Sequence, residues 1–116
     1  MSKVIIYHNP GCSKSRQTLA LLTDRNIEPD IVLYLENTPT IAELTTIIEQ
    51  LGISPRQLLR TGESAYQAKE LDNPDQTDES IIQAMVASPI LIQRPIVIHD
   101  GKAVLGRPPE QVLEIL

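Results

Sequence analysis

Apolar positions along this chain fall into short β-branched runs separated by longer stretches with helical spacing. Lys3 to Tyr7 reads KVIIY and stops at His8-Asn9-Pro10-Gly11, which predicts a strand followed by a turn. Ser13 to Asn26 then predicts a helix, with Leu19, Leu21 and Leu22 as its expected buried stripe. Asp30 to Leu35 (DIVLYL) predicts a second strand, and a strand-helix-strand unit of this length implies a parallel pair. Thr40 and Glu43 match a capping box, after which Ile41, Leu44, Ile47, Ile48 and Leu51 recur at helical spacing until Gly52 stops them.

The middle of the chain is more broken. Ser54-Pro55 opens a short helix through about Leu59, Glu63 to Leu71 predicts another, and Asn73 to Thr77 is rich in turn formers. Ser80 to Ala87 is helical by its Ile81, Ile82, Met85, Val86 pattern and ends at Pro89. Ile96 to His99 and Ala103 to Leu105 are short strands around Asp100-Gly101, a hairpin signal, and Pro108-Pro109 starts a last helix towards Leu116. The order is β-α-β, a helical insertion over about 40–90, then β-β-α. One parallel and one antiparallel unit can share a four-stranded mixed sheet, so the expectation is an α/β, thioredoxin-like fold filling residues 1–116 as a single domain.

Composition narrows the function. With 116 residues and 41% apolar side chains the core must come from Ile, Leu, Val and Ala, because three tyrosines are the only aromatics. Stacking platforms for single-stranded nucleic acid are therefore close to absent. The N-terminal apolar run of four residues falls far short of a signal peptide or membrane span, so a cytoplasmic protein with no membrane partner is expected. The formal net charge of -5 resides entirely in residues 61–80, where Lys69 faces Glu63, Glu70, Asp72, Asp75, Asp78 and Glu79. That stretch reads as a solvated face or mobile lid, with a docking surface for a basic partner as the lesser reading.

A single cysteine cannot form an internal disulfide, and with only His8 and His99 beside it no structural metal site is expected. Cys12 is a candidate active thiol. A free cysteine is commonly a buried, inert small hydrophobe, but this one sits where a Pro-Gly turn enters a helix, followed by Ser13, Lys14, Ser15 and Arg16, which suggests exposure. Helix N-terminal N–H groups favour an anion, whether a thiolate or a bound oxyanion, and Lys14, Arg16 and a protonated His8 would act in the same direction. His8 could equally be an ordinary strand-end histidine, and His99 beside its turn reads as a surface residue.

Activation of a thiol has a limited yield. For cysteine in general, a pKa drop from ~8.5 to ~6.5 raises the thiolate fraction at pH 7 about 24-fold, but each thiolate loses roughly 6–10-fold in nucleophilicity, leaving about 3-fold. Fixed positive charge on the other reactant must supply the rest. Arg60 before Thr61-Gly62, Arg94 before Pro95, and Arg107 between Gly106 and Pro108 are candidates, since Arg grips a tetrahedral oxyanion through paired planar donors.

Taken as a set, His8-Asn9-Pro10-Gly11-Cys12-Ser13-Lys14-Ser15-Arg16, Arg60, Gln93-Arg94-Pro95-Ile96 and Gly106-Arg107-Pro108-Pro109-Glu110 resemble the glutathione/glutaredoxin-coupled arsenate reductases of bacteria, in their compact, YfgD-type branch. The resemblance runs nearly end to end. It implies Cys12 as the nucleophile towards arsenate, His8 lowering the thiol pKa, and Arg60, Arg94 and Arg107 binding the oxyanion. Asn9, Ser13, Ser15 and Pro95 are implied as supporting positions, with Ser15 close to the thiolate and Arg94-Pro95 cis. Glutathione would be a co-substrate and glutaredoxin a partner of a monomer with no bound cofactor, since Ser15 stands where a resolving cysteine could be. Two other readings are a glutaredoxin-like thiol transferase and an Spx-type regulator that binds RNA polymerase.

Overall fold

The computed structural model describes residues 3–116, which divide into two compact units, residues 3–37 with 94–116 and residues 38–93. The first unit holds β1 (Val4–Tyr7), α1 (Ser13–Asp24), β2 (Asp30–Val32), β3 (Ile96–His99), β4 (Lys102–Leu105) and a C-terminal 3-10 helix, Pro109–Ile115. Its sheet has the order β2-β1-β3-β4, with β1 and β2 parallel and the other two pairs antiparallel. This is the mixed sheet of an α/β, thioredoxin-like fold.

Strand alternation decides what lies beneath the sheet. Val4 and Ile6 point to the same side of β1, and Ile6 lies opposite Val97 of β3. With Leu22 of α1 and Val112 of the C-terminal 3-10 helix they form the core of this unit, flanked by Leu19, Ile27, Val104, Leu113 and Ile115. Each fully buried aliphatic side chain here stabilises the fold by about 1.5–3 kcal/mol. The same packing seats α1 against the sheet and so aims its N-terminus past the end of β1. Helix α1 ends with Asn26 in the left-handed region (φ 62), the Asn26 N–H donating to the Thr23 carbonyl and the Ile27 N–H to that of Leu22.

Several boundaries differ from the pattern reading. Helix α1 stops at Asp24, and its fully shielded positions are Ser15, Thr18 and Leu22, with Leu19 and Leu21 half-buried. Strand β2 is three residues long because the chain turns at Leu33, whose carbonyl accepts from the Glu36 and Asn37 N–H groups. The β3–β4 turn carries Asp100 (φ 54) and Gly101 (φ 74), as a two-residue Asp-Gly hairpin requires. His99 is half-buried rather than a free surface residue, its Nδ1 2.6 Å from the Ile115 carbonyl.

The second unit contains α2 (Ile41–Leu51), α3 (Ser64–Ala68) and α4 (Asp78–Ala87), with 3-10 turns at Pro55–Leu58 and Pro89–Leu91. Helix α2 has the full capping box, Thr40 with Glu43, and ends on Gly52 at φ 70. Its buried Leu44, Ile47 and Ile48, and Ile81, Ile82 and Met85 of α4, line the faces these two helices pack together. The acidic stretch is anchored rather than wholly solvated. The Arg56 guanidinium donates to the carbonyls of Leu71, Asn73 and Gln76, and Leu71 is buried. Among the described residues no helix is long and apolar enough to cross a membrane.

Candidate active site

The loop between β1 and α1 is built by Asn9. Its side-chain Oδ1 accepts the Gly11 N–H at 2.9 Å and its main-chain carbonyl accepts the Cys12 N–H at 3.0 Å, while Arg16 donates to the Pro10 carbonyl. This places Cys12 at the N-cap of α1, in extended backbone (φ -102, ψ 125), with its own carbonyl accepting the Arg16 N–H. Ser, Thr, Asp and Asn are the usual caps. Here the thiol occupies that position without closing a capping hydrogen bond.

Cys12 is buried, 8% exposed, contrary to the exposure its polar neighbours suggested. The loop folds over it. Burial pushes the thiol up, yet its pKa lies below the ordinary cysteine value, because the Ser15 N–H, the Arg94 charge, the Lys14 N–H and an Arg94 N–H all favour the thiolate. Ser15 and Lys14 are the third and second residues of α1, the two N–H groups a cap would ordinarily engage. Lys14 acts through its backbone.

His8 sits at the end of β1, beside the first turn of α1. Burial first, then the Arg16 charge, hold its pKa below 6.5, so the ring is neutral at pH 7 and the positive charge favouring the thiolate is that of Arg94. The ring is instead joined to Ser15, Nδ1 to Oγ at 2.6 Å, and Ser15 Oγ also accepts the Asn9 N–H at 3.0 Å. His8 and Ser15, both buried, lock the end of β1 to the first turn of α1. Ser13 is exposed at the first helical position.

Arg94 lies at the start of the segment leading into β3, and both Arg94-Pro95 and Arg107-Pro108 are cis, the second not foreseen from sequence. Arg107 donates to the Arg94 carbonyl at 3.2 Å, which brings the two arginines to one corner of the first unit. The Arg94 Nε is shielded from solvent and has no hydrogen-bond partner among the described residues. A buried unsatisfied donor on a charged group costs ~1–3 kcal/mol or more, which a bound anion would offset. Arg60 belongs to the second unit, where its N–H donates to the Leu91 carbonyl and its side chain pairs with Glu63. Among the described residues no group of three or more His, Cys, Asp or Glu is placed to hold a metal ion.

Comparison with known proteins settles the lineage. Residues 7–115 match the model of the ArsC family. The chain belongs to the ArsC family. An arsenate reductase of Haemophilus influenzae is 51% identical over 114 residues, covering 97% of this chain and 98% of that protein. YfgD of Escherichia coli K12 is 50% identical over 115 residues, covering 98% and 97%. The solved structure of an arsenate reductase from Vibrio cholerae has a TM-score of 0.96 at 48% identity and covers 98% of both chains. The ArsC assignment and the thioredoxin-like sheet agree.

Proposed function

We propose that this ArsC-family chain is an arsenate reductase that uses Cys12 as its only protein nucleophile and glutathione, with glutaredoxin, as the external reductant. The observation that carries the reading is a buried cysteine whose pKa is lowered against the pull of its burial, by α1 backbone N–H groups together with Arg94. The names of the Haemophilus influenzae and Vibrio cholerae relatives point to the same substrate.

In the proposed sequence, the Cys12 thiolate attacks arsenic(V); an S–As bond forms and an As–O bond breaks, the oxygen leaving as water after protonation. Glutathione then attacks the Cys12 sulfur. The S–As electron pair stays on arsenic, giving arsenite and a Cys12–glutathione disulfide, so two thiols are oxidised as arsenic gains two electrons. The chain has no second cysteine, and a glutaredoxin thiol releases glutathione from Cys12 by disulfide exchange. Arg94 and Arg107 hold the oxyanion and balance its charge, and His8 and Ser15 keep the first turn of α1 in place beneath it.

The test is arsenate-dependent NADPH consumption coupled through glutathione, glutaredoxin and glutathione reductase. The expected result is turnover in the wild-type chain and none in Cys12→Ser; an equal rate in that variant refutes the assignment. Arg94→Ala or Arg107→Ala should weaken oxyanion binding about 10–150-fold, the equivalent of ~1.5–3 kcal/mol for a charged hydrogen bond. A thiol transferase acting on mixed disulfides would be indifferent to Arg107→Ala.

A further inference from the structure

Pro10 has no N–H, and every other main-chain donor of the loop from Asn9 to Cys12 is engaged through Asn9. The Asn9 N–H donates to Ser15 Oγ at 3.0 Å, the Gly11 N–H to Asn9 Oδ1 at 2.9 Å, and the Cys12 N–H to the Asn9 carbonyl at 3.0 Å. The loop therefore offers the sulfur no amide of its own. The donors that favour the thiolate belong to α1, through Lys14 and Ser15, and to Arg94. Their reach is set by where the loop places the Cys12 backbone, at φ -102 and ψ 125. Two of the three Asn9 bonds are made by its main chain. Only the bond from Gly11 needs this side chain, whose oxygen takes the place of a backbone carbonyl in the turn.

We propose that Asn9 is a positioning residue for Cys12: the Gly11 N–H bonded to its Oδ1 holds the loop in the conformation that delivers the sulfur to the first turn of α1. The inference rests on Cys12 being the nucleophile, as proposed above, and gives Asn9 no contact with substrate. A short side chain with an acceptor oxygen is needed to close this turn, so Ser replaces Asn in weaker form and Ala does not. Asp would close it too, but at the cost of a second negative charge near the thiolate. Gly11 is fitted to the same bond, because a Cβ there would lie 3.3 Å from Asn9 Oδ1 and push against it.

The test measures the pH dependence of Cys12 alkylation in reduced wild type, Asn9→Ala, Asn9→Ser and Gly11→Ala, together with Tm and the arsenate KM and kcat. Asn9→Ala should raise the alkylation midpoint by about 0.4–1 pH unit, the scale of one ordinary hydrogen bond, and lower kcat more than it changes KM. Asn9→Ser should bring back most of that shift. Gly11→Ala should give a smaller rise that vanishes on the Asn9→Ala background, and it carries the test where Asn9→Ala does not fold. A lowered Tm with an unmoved midpoint, in Asn9→Ala or in Gly11→Ala, means a merely structural role and overturns the proposal, as does a shift that Asn9→Ser leaves in place. Midpoints that move as expected in a chain that turns over no arsenate uphold the role of Asn9 and refute the functional reading instead.

Discussion

Gly106 offers the sharpest steric test of how the site is assembled. Its N–H donates to the Pro95 carbonyl at 3.0 Å. A Cβ built there would lie 2.5 Å from Thr18 Oγ1, 2.8 Å from Pro95 Cγ and 3.2 Å from Thr18 Cγ2. Against a preferred separation of ~3.5–4.0 Å, the first contact is about 1 Å too close. Neither neighbour gives way freely, because Thr18 and Pro95 are buried and Thr18 Oγ1 donates to the Lys14 carbonyl. Gly106→Ala should therefore cost ~1–3 kcal/mol, the usual scale of overpacking. At roughly 3–5 °C per kcal/mol for a domain of this size, a loss of about 2 kcal/mol lowers Tm by ~6–10 °C. Calorimetry measures it. Thr18→Ala removes two of the three clashing atoms, so the double variant should recover part of the loss, as coupled neighbours do. A Tm within about 1 °C of wild type for Gly106→Ala, or strictly additive losses, would refute the packing argument.

Other expectations concern ionisation and helix ends. Alkylation of Cys12 should reach half its maximal rate at a pH below that of an ordinary cysteine, and Arg94→Ala should move that midpoint upward; an unmoved midpoint removes Arg94 as a source of stabilising charge. Because the folded pKa of His8 lies below 6.5, the unfolded chain binds more protons as pH falls. The stability this group contributes is complete above 6.5 and is lost as pH falls through the folded value, so His8→Asn should flatten the acid-side decline in denaturant midpoint. Thr40→Ala breaks the α2 capping box and should cost about 1 kcal/mol by urea denaturation, without altering Cys12 alkylation.

What could be read beforehand depended on whether the signal was local. Helix α2 announces itself at both ends, through Thr40 with Glu43 and through Gly52, and its boundaries agree with the pattern. The Asp100-Gly101 hairpin is equally self-contained. Strand β2 is shorter than expected because apolar Leu33 to Leu35 fits a turn as readily as a strand, and hydrogen bonding decides which forms. The stripe of α1 was misplaced for a similar reason. Burying Ser15 becomes tolerable only once His8 and the Asn9 N–H satisfy its hydroxyl, and those partners come from β1 and its loop.

The site divides along the same line. Cys12 at the head of a helix follows from the order of turn and helix signals, and Arg94 and Arg107 stand out by their neighbouring prolines. The origin of the favourable charge does not follow. A histidine four residues before the cysteine invites the idea of a cationic ring, yet its burial and Arg16 disfavour that charge. Exposure was misjudged as well, because polar neighbours in sequence can turn outward while the residue between them is covered.

The most direct test of single-cysteine arsenate chemistry omits glutaredoxin. The reduced chain is mixed with arsenate and glutathione, and intact mass and arsenite are measured together. The account predicts one glutathione on Cys12 and one arsenite per chain, both requiring arsenate and both absent in Cys12→Ser. Glutathione attached to the same extent without arsenate, or arsenite formed by Cys12→Ser, would contradict it.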